Sequence, residues 1–275
     1  MPMDNEVLES DSAEKEFKEE LIKTHDTKRK RIFSKMFGAA LGSIPWVGGL
    51  LSAMVDLKSG EGQVQKNELY EKWLDGHRRK LMTLAETLKQ VMERLDEFPE
   101  EINERLESEE YLQIVRKSFK VWDNSDTVEK RDLVRKILTN SGANKLVPDD
   151  LLRLFLDWIN VYHEVHFSII KTIYQQSGIT RYEIWQQLNG AQVREDSLEA
   201  DLFKLLIRDL STGSVIRQHR ETDYYGSLVK KPAKKGIPSS NTMKSAFDNE
   251  DGYELTELGQ QFVHYTMNEV VPRIS

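Results

Sequence analysis

Residues 36–55 read MFGAALGSIPWVGGLLSAMV, twenty consecutive residues without a formal charge. At about 1.5 Å of rise per residue, twenty helical residues match a bilayer's hydrocarbon core of about 30 Å. Gly38 and Gly42 form a small-residue step that lets helices approach closely. Two features pull the other way. Gly38, Gly42, Gly48 and Gly49 dilute the hydrophobicity, and Pro45 divides the run. Proline cannot sit inside a helix without losing a hydrogen bond, but it suits the first turn of a new one. The stretch therefore reads as two short helices meeting at Ser43–Pro45, with Trp46, Leu50 and Leu51 as apolar anchors. Such a hairpin can fill a helical core, insert conditionally into a membrane, or anchor there permanently, and one hairpin can do the first two in different states.

Lys28, Arg29, Lys30 and Arg31 precede the apolar run and form a candidate contact for anionic headgroups or for an acidic surface. The segment is not a signal peptide, because about 35 mostly polar residues come first. The expected location is cytoplasmic, with peripheral attachment at an inner membrane if the hairpin engages lipid.

The remaining chain reads as mainly helical. Residues 1–12 are acidic and poor in apolar side chains, the composition of a disordered tail, and residues 13–31 suggest an exposed helix. Over residues 64–98, Leu69, Trp73, Leu81, Leu84, Leu88, Val91, Met92 and Leu95 recur at helical spacing, and Pro99 closes the run. A helix of that length spans about 50 Å, enough for an elongated body or for self-association. Further helices are expected over 107–122, after a cap at Ser125 or Asp126, and after Pro148, where the helix either continues to Tyr174 or breaks near His163.

Beyond Gly178, Thr180 caps RYEIWQQL, and a helix from about Ser197 to Leu210 places Leu198, Leu202, Leu205, Leu206 and Leu210 on its apolar side. Residues 214–217 and 252–256 read as short strands around a loop rich in Gly, Pro, Lys and Ser. Thr256 caps the last helix, within which Gly259 permits a close crossing. The expected fold is thus an N-terminal multi-helix body over 13–175 and a smaller α+β module over 176–275.

The order of elements over roughly 165–270, closing on Tyr253-Glu-Leu-Thr-Glu-Leu-Gly-Gln-Gln-Phe262, resembles a winged helix-turn-helix module. The resemblance implies a second helix that enters the DNA major groove. Here that helix, Ser197–Leu210, offers Lys204 and Arg208 but also Glu199, Asp201 and Asp209, with Glu195 and Asp196 at its start. Those acids would repel phosphates from the end that should approach them. The loop is different: residues 215–245 carry seven basic and two acidic side chains. Arg217, Arg220, Tyr224, Tyr225, Lys230, Lys231, Lys234 and Lys235 form its candidate contact set for nucleic acid or an acidic partner. Protein contact or self-association is the favoured expectation, with a DNA-binding regulator as the alternative. The segments IPWVGGLLSAMVD (44–56), KRDLVRKILTN (130–140) and HFSIIKTIY (166–174) are similar to bacterial abortive-infection proteins of the alpha type, a resemblance that implies a role in phage defence.

Chemistry is sparse. The 275 residues contain no cysteine, so thiol nucleophiles, disulfides and cysteine-ligated zinc are excluded. No phosphate-binding GxxxxGK[ST] loop or GxSxG elbow occurs. His163 and His166 lie three apart, not at the four-residue step of a zinc metalloprotease, and read as histidines at a helix junction. No catalytic residue, metal site or cofactor is expected. With 46 acidic against 39 basic side chains the chain carries a net −7, and no whole region is strongly cationic.

Overall fold

The computed structural model describes residues 27–59, 68–190, 193–219, 224 and 245–268. The acidic tail of residues 1–12, most of the expected helix over 13–31 and most of the basic loop lie outside the described residues. Within them the chain is mainly helical, with one small three-stranded antiparallel sheet. It divides into two compact units, the second covering Tyr162–Met267. Helix 164–175 therefore belongs to the C-terminal unit.

The N-terminal unit contains α1 (Thr27–Leu41), α2 (Pro45–Ser59), α3 (Glu68–Leu95), a 3-10 turn (Glu100–Ile102), α4 (Asn103–Glu107), α5 (Glu109–Asn124), α6 (Val128–Ala143) and α7 (Asp149–Val161). The uncharged stretch is split as Pro45 requires. Leu41 ends one helix, Pro45 begins the next, and Ser43 Oγ donates to Ala40 O at 2.7 Å to close the turn. Met36, Phe37, Ala40, Ile44, Val47 and Leu50 are buried. Among the described residues, no helix is long and apolar enough to cross a membrane.

Helix α5 packs against α1, α6 and α7. Its core side chains, Tyr111, Ile114, Val115, Phe119 and Trp122, are all buried. Ser108 Oγ caps α5 through Tyr111 N–H. The cap of α6 is Thr127, which accepts from Lys130 N–H. Ser125 instead closes the preceding helix as its C-cap, its N–H donating to Trp122 O at 3.2 Å, and so lies too early in the chain to cap a helix that starts at Val128. Arg105 makes two hydrogen bonds to the carboxylate of Asp149, at 3.0 and 2.5 Å, which joins α4 to the first turn of α7. Helix α3 buries Leu81, Leu84, Leu88, Val91, Met92 and Leu95, whereas Trp73 in its N-terminal half is exposed. Among the described side chains, the buried part of the expected face runs from Leu81 to Leu95.

The C-terminal unit runs α8 (Glu164–Gln175), β1 (Ile179–Thr180), α9 (Arg181–Leu188), α10 (Leu198–Thr212), β2 (Ile216–Gln218), β3 (Gly252–Leu255) and α11 (Glu257–Thr266). The sheet order is β1-β3-β2, with β3 antiparallel to both neighbours. Thr180 and Glu183 form a reciprocal capping box at α9. Gly252 lies where an added Cβ would stand 2.3 Å from Gly178 O, and one at Gly259 would stand 2.2 Å from Val215 O. These glycines let β3 and α11 close on their neighbours. At the start of α8, His163 N–H donates to Nδ1 of buried His166 at 3.1 Å, so the two histidines do serve the helix junction.

Candidate functional site

Helix α10 begins where Ser197 Oγ accepts from Ala200 N–H at 3.2 Å. Its inner face carries Ala200, Phe203, Leu206, Ile207 and Leu210, all buried. The face is set by Phe203, which packs edge-on against Trp185 of α9 with centroids 5.4 Å apart and stacks on Phe247 at 6.1 Å. This choice corrects the face read from the leucines. Leu206 and Leu210 turn inward, but Leu198, Leu202 and Leu205 remain 81%, 49% and 40% exposed. The helix holds more apolar residues than one buried stripe requires, and the surplus forms a second stripe on the outside.

Charged groups frame that stripe. Asp201 and Arg208 sit two turns apart beside it, each with a side chain 72% exposed. Their intramolecular partners are loosely held: Asp201 is 3.8 Å from Lys204 Nζ, and Arg208 Nε is 3.9 Å from Asp209. The N-terminal end is acidic, with Glu199 and Asp201 in the first turn, where they complement the helix dipole. Just before it, Arg194 pairs with Asp196 at 2.7 Å.

Glu195 ties this end to the residues that return from the basic loop. Its carboxylate accepts from the Ser245 hydroxyl and from Ala246 N–H at 3.0 Å, and lies 3.5 Å from Lys204 Nζ. Partial burial raises its proton affinity, but these hydrogen bonds and the Lys204 charge outweigh that effect. The carboxyl therefore sits below the ordinary range and stays ionised. Lys204, one of two cations on the helix, is thereby engaged with acids of the same module.

The loop candidates fare differently. Arg217 on β2 faces Glu254 on β3 in register, and its Nε donates to Glu254 Oε1 at 2.7 Å. His219 Nδ1 lies 2.6 Å from Glu254 Oε2. Burial pushes the Glu254 carboxyl up, while the hydrogen bonds from His219 and Arg217 pull it further down, to a net position below the usual range. Tyr224 is exposed. Arg220, Tyr225, Lys230, Lys231, Lys234 and Lys235 lie outside the described residues.

In the N-terminal unit the basic run meets acids of its own chain. Arg29 lies 3.4 Å from Asp96, Arg31 is 2.6 Å from Glu107, and Lys35 is 4.0 Å from Glu107. Lys30 is half-buried, and the side chain of Lys28 lies outside the described residues. Gly42, Pro45, Gly48 and Gly49 are exposed, Gly38 is half-buried, and the side chain of Leu51 is not described. Trp46 is fastened: Nε1 donates to Asp123 Oδ1 at 3.0 Å, and His77 packs edge-on against its ring at 4.7 Å. Lys80 completes the cluster, 2.5 Å from Asp123 and 5.7 Å from the Trp46 ring. The predicted anchor residues are thus drawn into the folded body at Trp46 and Leu50.

Among the described residues, no group of three His, Asp or Glu side chains could hold a metal ion. No known protein family, no curated protein and no solved structure matches this chain. Among the described residues, the outward face of α10 departs from a solvated exterior in that three large apolar side chains stand in line on one helix.

Proposed function

We propose that residues 162–267 form a winged-helix module that contacts protein, carried by the helical N-terminal body of an interaction or effector protein. The order α8-β1-α9-α10-β2-β3-α11 and the sheet order β1-β3-β2 support the winged-helix reading. The observation that carries the protein-contact reading is the outward face of α10. In a DNA-reading module this surface faces the phosphates and base edges and is rich in donors and positive charge. Here it presents Leu198, Leu202 and Leu205, with Glu199 and Asp201 at its leading end and Lys204 drawn towards Glu195. Leucines gain nothing from phosphates, and exposed leucines in line favour an apolar partner.

Fluorescence anisotropy of a labelled random-sequence DNA duplex, titrated with the full chain at low salt, tests the choice. The expected result is no saturable binding. Saturable binding that weakens with salt and with Arg208→Ala or Lys204→Ala would overturn it. The resemblance to abortive-infection proteins extends the proposal to phage defence. There, Leu202→Asp is expected to abolish any protection against phage while leaving the chain folded, and full protection by that variant would separate the biology from this surface.

A further inference from the structure

The partner that fits the outward face of α10 is a second copy of the same face. At about 100° per residue, Leu198, Leu202 and Leu205 fall within about 60° of one another, a single stripe along the helix. Asp201 and Arg208 lie together on one flank of it, about 10 Å apart along the axis. A two-fold symmetric contact must be self-complementary, so each group needs its opposite at the mirrored distance from the axis. This flank meets that condition. If two α10 helices cross antiparallel about a point midway between positions 201 and 208, Asp201 of each copy comes opposite Arg208 of the other. Leu202 and Leu205 from both copies then interleave at the centre.

We infer that the chain self-associates through this face, as an antiparallel pairing of α10 helices with two symmetric Asp201–Arg208 ion pairs. The groups are available for it. Both side chains are 72% exposed, and their present partners stand near 4 Å. The stripe ends at Asp209, whose carboxylate turns back towards His166 Nε2 and Arg208 Nε, each at 3.9 Å. The inference rests on the protein-contact reading of α10 and specifies its partner. A basic peptide would suit Asp201 but would meet Arg208, whereas a second copy satisfies both. Three leucines a side make a small interface, so the association is weak, with a dissociation constant of about ten micromolar or above.

Sedimentation velocity of the full chain over a concentration series tests this. The wild-type chain is expected to shift from monomer towards dimer with rising concentration. Leu202→Asp should weaken dimerisation by about a hundredfold, because it removes two leucines per dimer from the centre. Asp201→Arg and Arg208→Asp should each weaken it by about tenfold, since each sets like charges against each other at two places. An equimolar mixture of those two single variants should recover it, because each then supplies what the other lacks. The chain carrying both changes should also associate. All three side chains are exposed, so unchanged circular dichroism and thermal midpoints are expected and confirm that the variants fold. A chain that is monomeric at every concentration would overturn the inference, as would a dimer indifferent to these changes or a mixture that does not recover. Failure here, with no DNA binding by anisotropy, would leave α10 as a surface for a different protein; DNA binding would remove the underlying reading as well.

Discussion

Adding one methyl group at Gly259 should damage the C-terminal unit, while the same change at Gly76 should stabilise the N-terminal one. Both glycines lie in helices, where alanine is favoured over glycine by about 0.5–1 kcal/mol. At Gly76, in the middle of α3, an added Cβ meets nothing within 4 Å, so that gain is realised. At Gly259 the Cβ would stand 2.2 Å from Val215 O. An ordinary carbon–oxygen contact is about 3.3 Å, so α11 must retreat by about 1 Å. The retreat strains the two bonds that seat α11 on the start of β2: Thr256 N–H to Val215 O at 3.0 Å and Thr256 Oγ1 to Ser214 O at 2.6 Å. Overpacking costs about 1–3 kcal/mol and each weakened hydrogen bond about 1 kcal/mol. After the helix gain is subtracted, Gly259→Ala should lose about 2–4 kcal/mol. Denaturant unfolding of the full chain, with hydrogen exchange to assign the transition, reads both variants. Gly259→Ala should lower protection in β3 and α11, and Gly76→Ala should raise it in α3. Unchanged exchange in β3 and α11 of the Gly259 variant would refute the close-crossing argument.

Other outcomes follow from single contacts. Tyr111 is fully buried and donates to Leu138 O at 2.9 Å; burial raises its phenol far above the ordinary range, with the Arg105 charge opposing. The native phenol therefore stays protonated, and stability is lost as pH rises above about 10, where the unfolded tyrosine ionises. Tyr111→Phe should flatten that alkaline loss in unfolding curves, at a cost of about 1 kcal/mol at neutral pH. The Glu254 carboxyl is held below its ordinary range, so its contribution is present above about pH 4.3 and fades as acid protonates it. Glu254→Gln should show a smaller loss of stability between neutral and acid pH. Removing Asp149 leaves Arg105, whose side chain is 13% exposed, without its carboxylate, so Asp149→Ala should destabilise by about 3 kcal/mol in chemical denaturation.

What could be read from the sequence was local. Pro45 marks a helix start because its ring forbids a helix interior, and Thr180 with Glu183 announces a capping box within four residues. Gly259 signals a close approach before its neighbour is known. The face of α10 was not legible in the same way. Its apolar residues define two overlapping stripes, and only the arrival of Trp185 and Phe247, distant in sequence, decides that Phe203 turns inward and Leu198, Leu202 and Leu205 outward. The charges of Arg217 and Glu254 cancel for a similar reason. They are 37 positions apart and meet through strand register. Ser125 serves as the C-cap of the preceding helix and Thr127 as the N-cap of the next, a boundary that spacing alone does not place. Trp73 completes the periodic pattern of α3, yet it stays exposed while the buried leucines of that helix lie in its later turns.

The most direct test of the central claim is photocrosslinking in intact cells, with a photoreactive side chain in place of Leu202. If the outward face of α10 contacts protein, irradiation should give an adduct that migrates near twice the chain's mass, is unaffected by nuclease, and falls in yield when Asp201→Arg is added. An adduct that collapses on nuclease treatment would contradict the account and place nucleic acid on this face.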